Sequence, residues 1–153
     1  MKIKSNLVEA HIFRKKNNKI EFLVMKRAEN ELYANIWQMV TGSTEKGEKA
    51  FETAIREITE ETSLTPISIW VVPKVNSFYL SSDDSINMVP VFVAEIEAKS
   101  EVILSKEHSK FKWCSGKKAK KLFAWVGQRE AVDIICECLT DKKSKLKLVK
   151  CEK

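Results

Sequence analysis

From Ala50 onward the apolar residues change period. Phe51, Ala54, Ile55 and Ile58 fall at i, i+3, i+4 and i+7, which puts them on one side of a helix that another layer must cover. The flanking runs are β-prone: "NLVEAHIF", "IEFLVMKR" and "IWQMVTG" before it, then "ISIWVVPKV", "SFYL", "NMVPVFVAEIEA" and "KFKWC" after it. Asn17-Asn18 suits a tight turn, so the first two runs are expected to form a hairpin. "IWQMVTG" reads as a strand ending at Gly42, and Pro66 excludes helix from its neighbourhood. The turn-rich "SSDDS" reads as a loop over the sheet edge. "GKKAKKLFAW" and "QREAVDIICECL" return to helical spacing, giving one short and one terminal helix. Strands around one central helix, with helices at the end, predict an α/β layered sandwich on a mixed sheet rather than a regular βαβ winding.

With 153 residues and 44% hydrophobic composition, the chain reads as a single domain over residues 1–140. A Lys-rich tail over residues 141–153 follows. Four Gly and three Pro leave no room for a long linker. The first residues turn polar too soon for a secretory leader, and no run approaches membrane-spanning length, so a cytoplasmic protein with no membrane partner is expected. Cys114, Cys136, Cys138 and Cys151 form no CxxC pair and have no nearby histidine, which favours reduced thiols over a zinc site. The tail carries six Lys against two acids, supplying most of the net charge of +6. Without interleaved aromatics or Arg forks it reads as a solvated end rather than a nucleic-acid contact.

Against that basic balance, residues 42–64, "GSTEKGEKAFETAIREITEETSL", gather six carboxylates. On a helix Glu57, Glu60 and Glu61 stand at i, i+3 and i+4 and share one side next to the buried face. A solvated acidic face would tolerate that repulsion, which amounts to tenths of a kcal/mol. Hard oxygen donors so placed are also what Mg²⁺ or Mn²⁺ requires, and a cation would remove the repulsion. Arg56 is the i, i+4 partner of Glu60 and is expected to orient the carboxylates by salt bridge. Gly42 would let the strand end approach a phosphate or a metal where a Cβ would obstruct. Glu48, near the helix start, reads equally as a structural charge and as a catalytic one.

Gly42, Glu48, the run Arg56-Glu57-Ile58-Thr59-Glu60-Glu61 and the closing Leu64 together resemble the Nudix box. One position departs: Ser63 stands where the family has Gly; a Gly there would suit a left-handed helix end, and Ser would either cost about 1 kcal/mol in that conformation or take another turn. The resemblance implies an α-β-α sandwich and a Mg²⁺-dependent hydrolase of substrates carrying a nucleoside diphosphate linked to another group. It implies Glu57, Glu60 and Glu61 as metal ligands, with Glu60 as general base and Arg56 as its catalytic partner.

"WQMVTGSTEKGE" and "KEHSKFKWC" further resemble the dihydroneopterin triphosphate diphosphatases. That likeness implies Glu107 as an additional metal ligand, and Arg27 and Thr41 as substrate contacts beside Gly42. Trp37 is a candidate for stacking on a base or pterin, and Lys4 for reaching a phosphate; His108 is read as structural. "WVGQREA" departs from the branch, which has Ser-Asn before the Arg. The expected reaction is release of pyrophosphate from a nucleoside triphosphate or dihydroneopterin triphosphate, leaving the monophosphate. The alternatives are a dinucleoside polyphosphate hydrolase and a non-catalytic nucleotide- or RNA-binding module. The retention of Glu57, Glu60, Glu61 and Arg56 argues against the last.

Overall fold

A computed structural model describes residues 1–152 of the chain. Its strands are β1 (Lys2–Lys4), β2 (Leu7–Lys16), β3 (Lys19–Arg27), β4 (Trp37–Gln38), β5 (Val40–Ser43), β6 (Ser68–Leu80), β7 (Ser85–Glu95), β8 (His108–Cys114) and β9 (Val149–Lys150). The helices are α1 (Ala50–Thr62), α2 (Gly116–Leu122) and α3 (Val126–Thr140). All the strands join one mixed sheet with the core order β4-β3-β2-β7-β6-β9; β1 and β2 run parallel to β7, and the other pairs are antiparallel.

Alternation along the strands sorts the apolar residues into two layers. Val8, Ala10 and Ile12 of β2 and Leu23 and Met25 of β3 pack with Ala54 and Ile58 of α1. Phe13, Phe22 and Val24 point the other way and pack with Ala119 of α2 and Ala131, Val132 and Ile135 of α3. The result is the expected α-β-α sandwich. Asn17 and Asn18 turn the β2–β3 hairpin at φ 51° and 60°, the left-handed pair that such a turn requires and that Asn tolerates.

Beyond Phe13 and Phe22 the hairpin strands part, and the following segment takes up their freed edges: β4 bonds to β3, and β5 bonds to β2. "IWQMVTG" is therefore two short strands joined at Met39 rather than one. This arrangement puts Gly42 opposite Val8 and turns the chain directly into α1. Glu52 accepts a hydrogen bond from the Lys49 N–H at 2.9 Å, fixing the helix start.

Two expectations need correction. "ISIWVVPKV" and "SFYL" are one strand, because a register shift between Val71 and Val75 accommodates Pro73 without breaking the ladder. The end of the chain is not a free solvated tail. Val149 and Lys150 pair with Val71 and Trp70, the Cys151 N–H donates to the Ile69 carbonyl at 2.9 Å, and Leu148 and Cys151 pack against the core. Leu148 and Cys151 are half-buried there, while Lys142, Lys143, Lys145, Lys147 and Lys150 stay exposed. No helix among the described residues is long and apolar enough to cross a membrane.

Candidate functional site

α1 presents its three carboxylates at three depths. Glu61 is buried at 3% exposure, Glu57 is half-buried, and the Glu60 side chain is 57% exposed. The gradient follows from spacing: Glu61 lies three positions after Ile58, at the edge of the apolar face, whereas Glu60 turns towards solvent. A Cβ built on Gly42 would fall 2.2 Å from Glu57 Cγ and 2.5 Å from its Oε1. The strand thus leaves room for the Glu57 carboxylate, a more specific role than the backbone freedom inferred from sequence.

Arg56 is the pivot of the acidic face. Its Nε donates to Glu48 Oε1 at 2.6 Å and its Nη2 to Glu48 Oε2 at 3.1 Å and to the Ser43 carbonyl at 2.9 Å. Its Nη1 reaches Glu57 Oε1 at 2.9 Å and Glu60 Oε2 at 3.3 Å. Glu48 also accepts from the Glu45 N–H at 3.0 Å and the Thr53 hydroxyl at 2.7 Å. The bond from Arg56, then those from Glu45 and Thr53, push the Glu48 carboxyl down to about 2. Glu48 anchors Arg56, and Arg56 in turn holds Glu57 and Glu60.

The loop before β8 brings a fourth carboxylate. The Ile103 and Ser105 N–H groups donate to the Thr62 and Glu61 carbonyls at 2.9 and 3.1 Å, and the Ala28 N–H donates to the Glu107 carbonyl at 2.9 Å. These bonds tie the loop to the end of α1 and to the end of β3. Ligand atoms of Glu61, Glu107 and His108 lie within 4.8 Å of one another. Burial, then the charges of Glu107 and Glu57, push the Glu61 carboxyl up to about 9. Burial also raises Glu57, against the opposing pull of Arg56. Glu61 Oε2 is buried without a hydrogen-bond donor. Oxygen donors this crowded, one of them orphaned, fit a divalent cation.

His108 is 5% exposed and stays neutral, since burial, then the charge of Arg27, lowers it to about 4. Its Nε2 lies 3.0 Å from the Gln38 amide nitrogen, and its Nδ1 has no partner.

The remaining candidates divide. Arg27 ends β3; its Nε donates to the Leu32 carbonyl at 2.6 Å and its Nη2 reaches Glu31 at 3.5 Å, while its charge still acts on Glu61 and His108. Thr41 adjoins Gly42 on β5, opposite Glu9. Trp37 packs partly into the α3-side core, with the Lys112 ammonium 4.6 Å from its ring. Lys4 is engaged in a salt bridge with Asp83 at the β6–β7 turn, and a phosphate would have to compete with that carboxylate.

Two features had no sequence signal. Tyr33 and Trp125 are exposed and meet edge to face with centroids 5.8 Å apart. On the α3 side of the sheet, Glu9 accepts from Asn76 Nδ2 at 2.7 Å, with its carboxyl raised by burial. The partners in each pair lie far apart in sequence.

The NUDIX domain family matches residues 7–133. A Caenorhabditis elegans relative, bis(5'-nucleosyl)-tetraphosphatase (asymmetrical), is 28% identical over 112 residues, covering 72% of this chain and 79% of the relative. The fold is similar to that of a NUDIX hydrolase from Listeria monocytogenes, with TM-score 0.78, 26% identity, and coverage of 93% of this chain and 97% of the other. It is also similar to that of the E. coli dihydroneopterin triphosphate pyrophosphohydrolase, with TM-score 0.67, 22% identity, and coverage of 87% and 96%. At that last identity the likeness is one of fold.

Proposed function

The chain belongs to the Nudix hydrolases, and from that premise we propose that it hydrolyses a phosphoanhydride bond of a nucleoside polyphosphate, with Mg²⁺ or Mn²⁺ held by Glu57, Glu61 and Glu107. The observation that carries this reading is the crowding of carboxylates around the orphaned, buried Glu61 Oε2. When bound, the cation would neutralise charge on the phosphoryl oxygens and activate a water.

Glu60 suits the part of general base. It is the most exposed of the three helix carboxylates, and Arg56 holds it at 3.3 Å or more. It can take the proton of the attacking water as the phosphorus–oxygen anhydride bond breaks, a contribution of about 10² to 10⁴ in rate. Arg56 positions this group through its own anchor on Glu48. Gly42 leaves the space beside Glu57 at the strand end, Thr41 faces the other side of the sheet with Glu9, and the charge of Arg27 reaches the buried Glu61.

For the substrate, the C. elegans relative's name favours a dinucleoside tetraphosphate. The exposed Tyr33–Trp125 pair would offer such a molecule an aromatic surface for a base. The second reading, a nucleoside or dihydroneopterin triphosphate, rests on "WQMVTGSTEKGE" and "KEHSKFKWC". The test is incubation with Mg²⁺ and a panel of diadenosine tetraphosphate, dihydroneopterin triphosphate and nucleoside triphosphates, with products resolved chromatographically. Asymmetric cleavage to a triphosphate and a monophosphate supports the first reading, and monophosphate with pyrophosphate the second. No turnover of any member overturns both.

A further inference from the structure

We propose that His108 supplies a nitrogen ligand to the cation at Glu61 and Glu107, so that the site favours transition ions such as Mn²⁺ over Mg²⁺ more than carboxylates alone would. This rests on the metal-site reading above, and adds to it a donor of a different chemical kind.

Two residues of this cluster each carry a buried polar atom without a partner: Glu61 Oε2 and His108 Nδ1. Their residues are 3% and 5% exposed, so water does not readily satisfy them. A buried polar group left unpaired is destabilising, and here two such groups belong to neighbouring residues of one cluster. A ring nitrogen of His108 and a carboxylate oxygen from each of Glu61 and Glu107 lie within 4.8 Å of one another. Two ligands on opposite sides of one small divalent ion stand about 4 Å apart. Small side-chain adjustments therefore bring all three onto a common ion, which would satisfy both orphans.

The backbone holds the ring where it is. His108 opens β8 opposite Arg27, and the β3–β8 register shifts between Lys26 and Arg27. Such irregularities re-aim a side chain at the end of a ladder. Here the shift follows directly on the Ala28 to Glu107 backbone bond, so Glu107 and His108 are delivered together. Gln38 supplies the outer partner that metal-bound imidazoles commonly have. Its amide nitrogen now faces Nε2 at 3.0 Å. A half-turn of the amide presents its oxygen instead, which accepts the Nε2 proton and leaves the Nδ1 lone pair for the ion.

The chemistry of the donor sets the consequence. Imidazole binds Mg²⁺ poorly and first-row transition ions well. Replacing His108 by Gln should weaken Mn²⁺ binding about tenfold and leave Mg²⁺ binding within about threefold.

The experiment is pulsed electron paramagnetic resonance on tag-free, full-length protein loaded with Mn²⁺. His11 and His108 are the only histidines of the chain, and His11 is buried on the opposite side of the sheet against Phe123. Modulation from a directly bound imidazole ¹⁴N in the wild type, absent in His108→Gln, is the expected result. The wild-type spectrum decides even where the variant does not fold. Bound Mn²⁺ without ¹⁴N modulation overturns the His108 assignment and leaves the carboxylate site standing, with the imidazole then only a neighbour. Failure to bind Mn²⁺ at all overturns the metal-site reading itself.

Discussion

A Cβ at position 42 and the Glu57 side chain cannot occupy the same space: the one would lie 2.2 Å from Cγ of the other. Gly42 is paired to Val8 within the sheet, so the strand cannot easily retreat. Gly42→Ala should therefore expel the Glu57 carboxylate from its place beside Arg56 while the fold survives. The expected effect is a fall in kcat of about 10²-fold, as for small misplacements elsewhere, with a weaker metal affinity. Steady-state kinetics and metal titration of the variant check it, and an unaltered kcat would contradict it.

Ser63 closes α1 at φ 59° and ψ 16°, with its N–H donating to the Thr59 carbonyl at 2.9 Å. A side chain in that conformation is strained, whereas glycine is not. Ser63→Gly should stabilise the protein by about 1 kcal/mol, a rise in Tm of about 2–4 °C for a chain of this size. Differential scanning calorimetry measures it directly.

His11 is wholly buried with neither ring nitrogen partnered, and burial lowers it to about 3 from its ordinary 6.5. In the unfolded chain it takes up a proton below about pH 6.5; in the folded chain it resists protonation until about pH 3. The stability its neutral form allows is thus fully present above 6.5 and lost as pH falls towards 3. The loss is on the order of 5 kcal/mol over that window. His11→Phe should flatten the stability profile between pH 6.5 and 3, as read by urea unfolding at several pH values.

Glu61 shifts the other way. Its carboxyl is raised to about 9, so without a cation its contribution to stability is present at low pH and lost as pH rises through 9. At pH 7.5 it holds a proton that a divalent ion must displace. Calorimetric titration with Mg²⁺ in two buffers of different ionisation enthalpy should show release of about one proton per ion bound at Glu61. The rise in Tm on adding Mg²⁺ should also grow from pH 6 to pH 9, and EDTA should abolish it.

The parts of this site that were legible in the sequence are local. Glu57, Glu60, Glu61 and Arg56 lie on one helix, where spacing alone dictates which side chains share a face. Asn17-Asn18 and Ser63 were legible for the same reason, since backbone conformation at a turn or a helix end is decided by a few adjacent residues. The substrate side was harder. Lys4, free in the sequence, is tied to Asp83, and the Gln38–His108 and Glu9–Asn76 pairs join residues 70 and 67 positions apart. Such contacts depend on sheet order, which no short window of sequence carries. The docking of the chain end on β6 was hidden likewise, because composition reports the lysines of that segment and not the edge its Leu148 and Cys151 find.

The most direct test of the account compares hydrolysis by wild type and Glu61→Gln, each with and without Mg²⁺, on the same substrate panel. The prediction is turnover by the wild type that requires the cation and falls at least about 10²-fold in the variant, with the fold unchanged by circular dichroism. Cation-independent turnover, or a variant as active as the wild type, would contradict it.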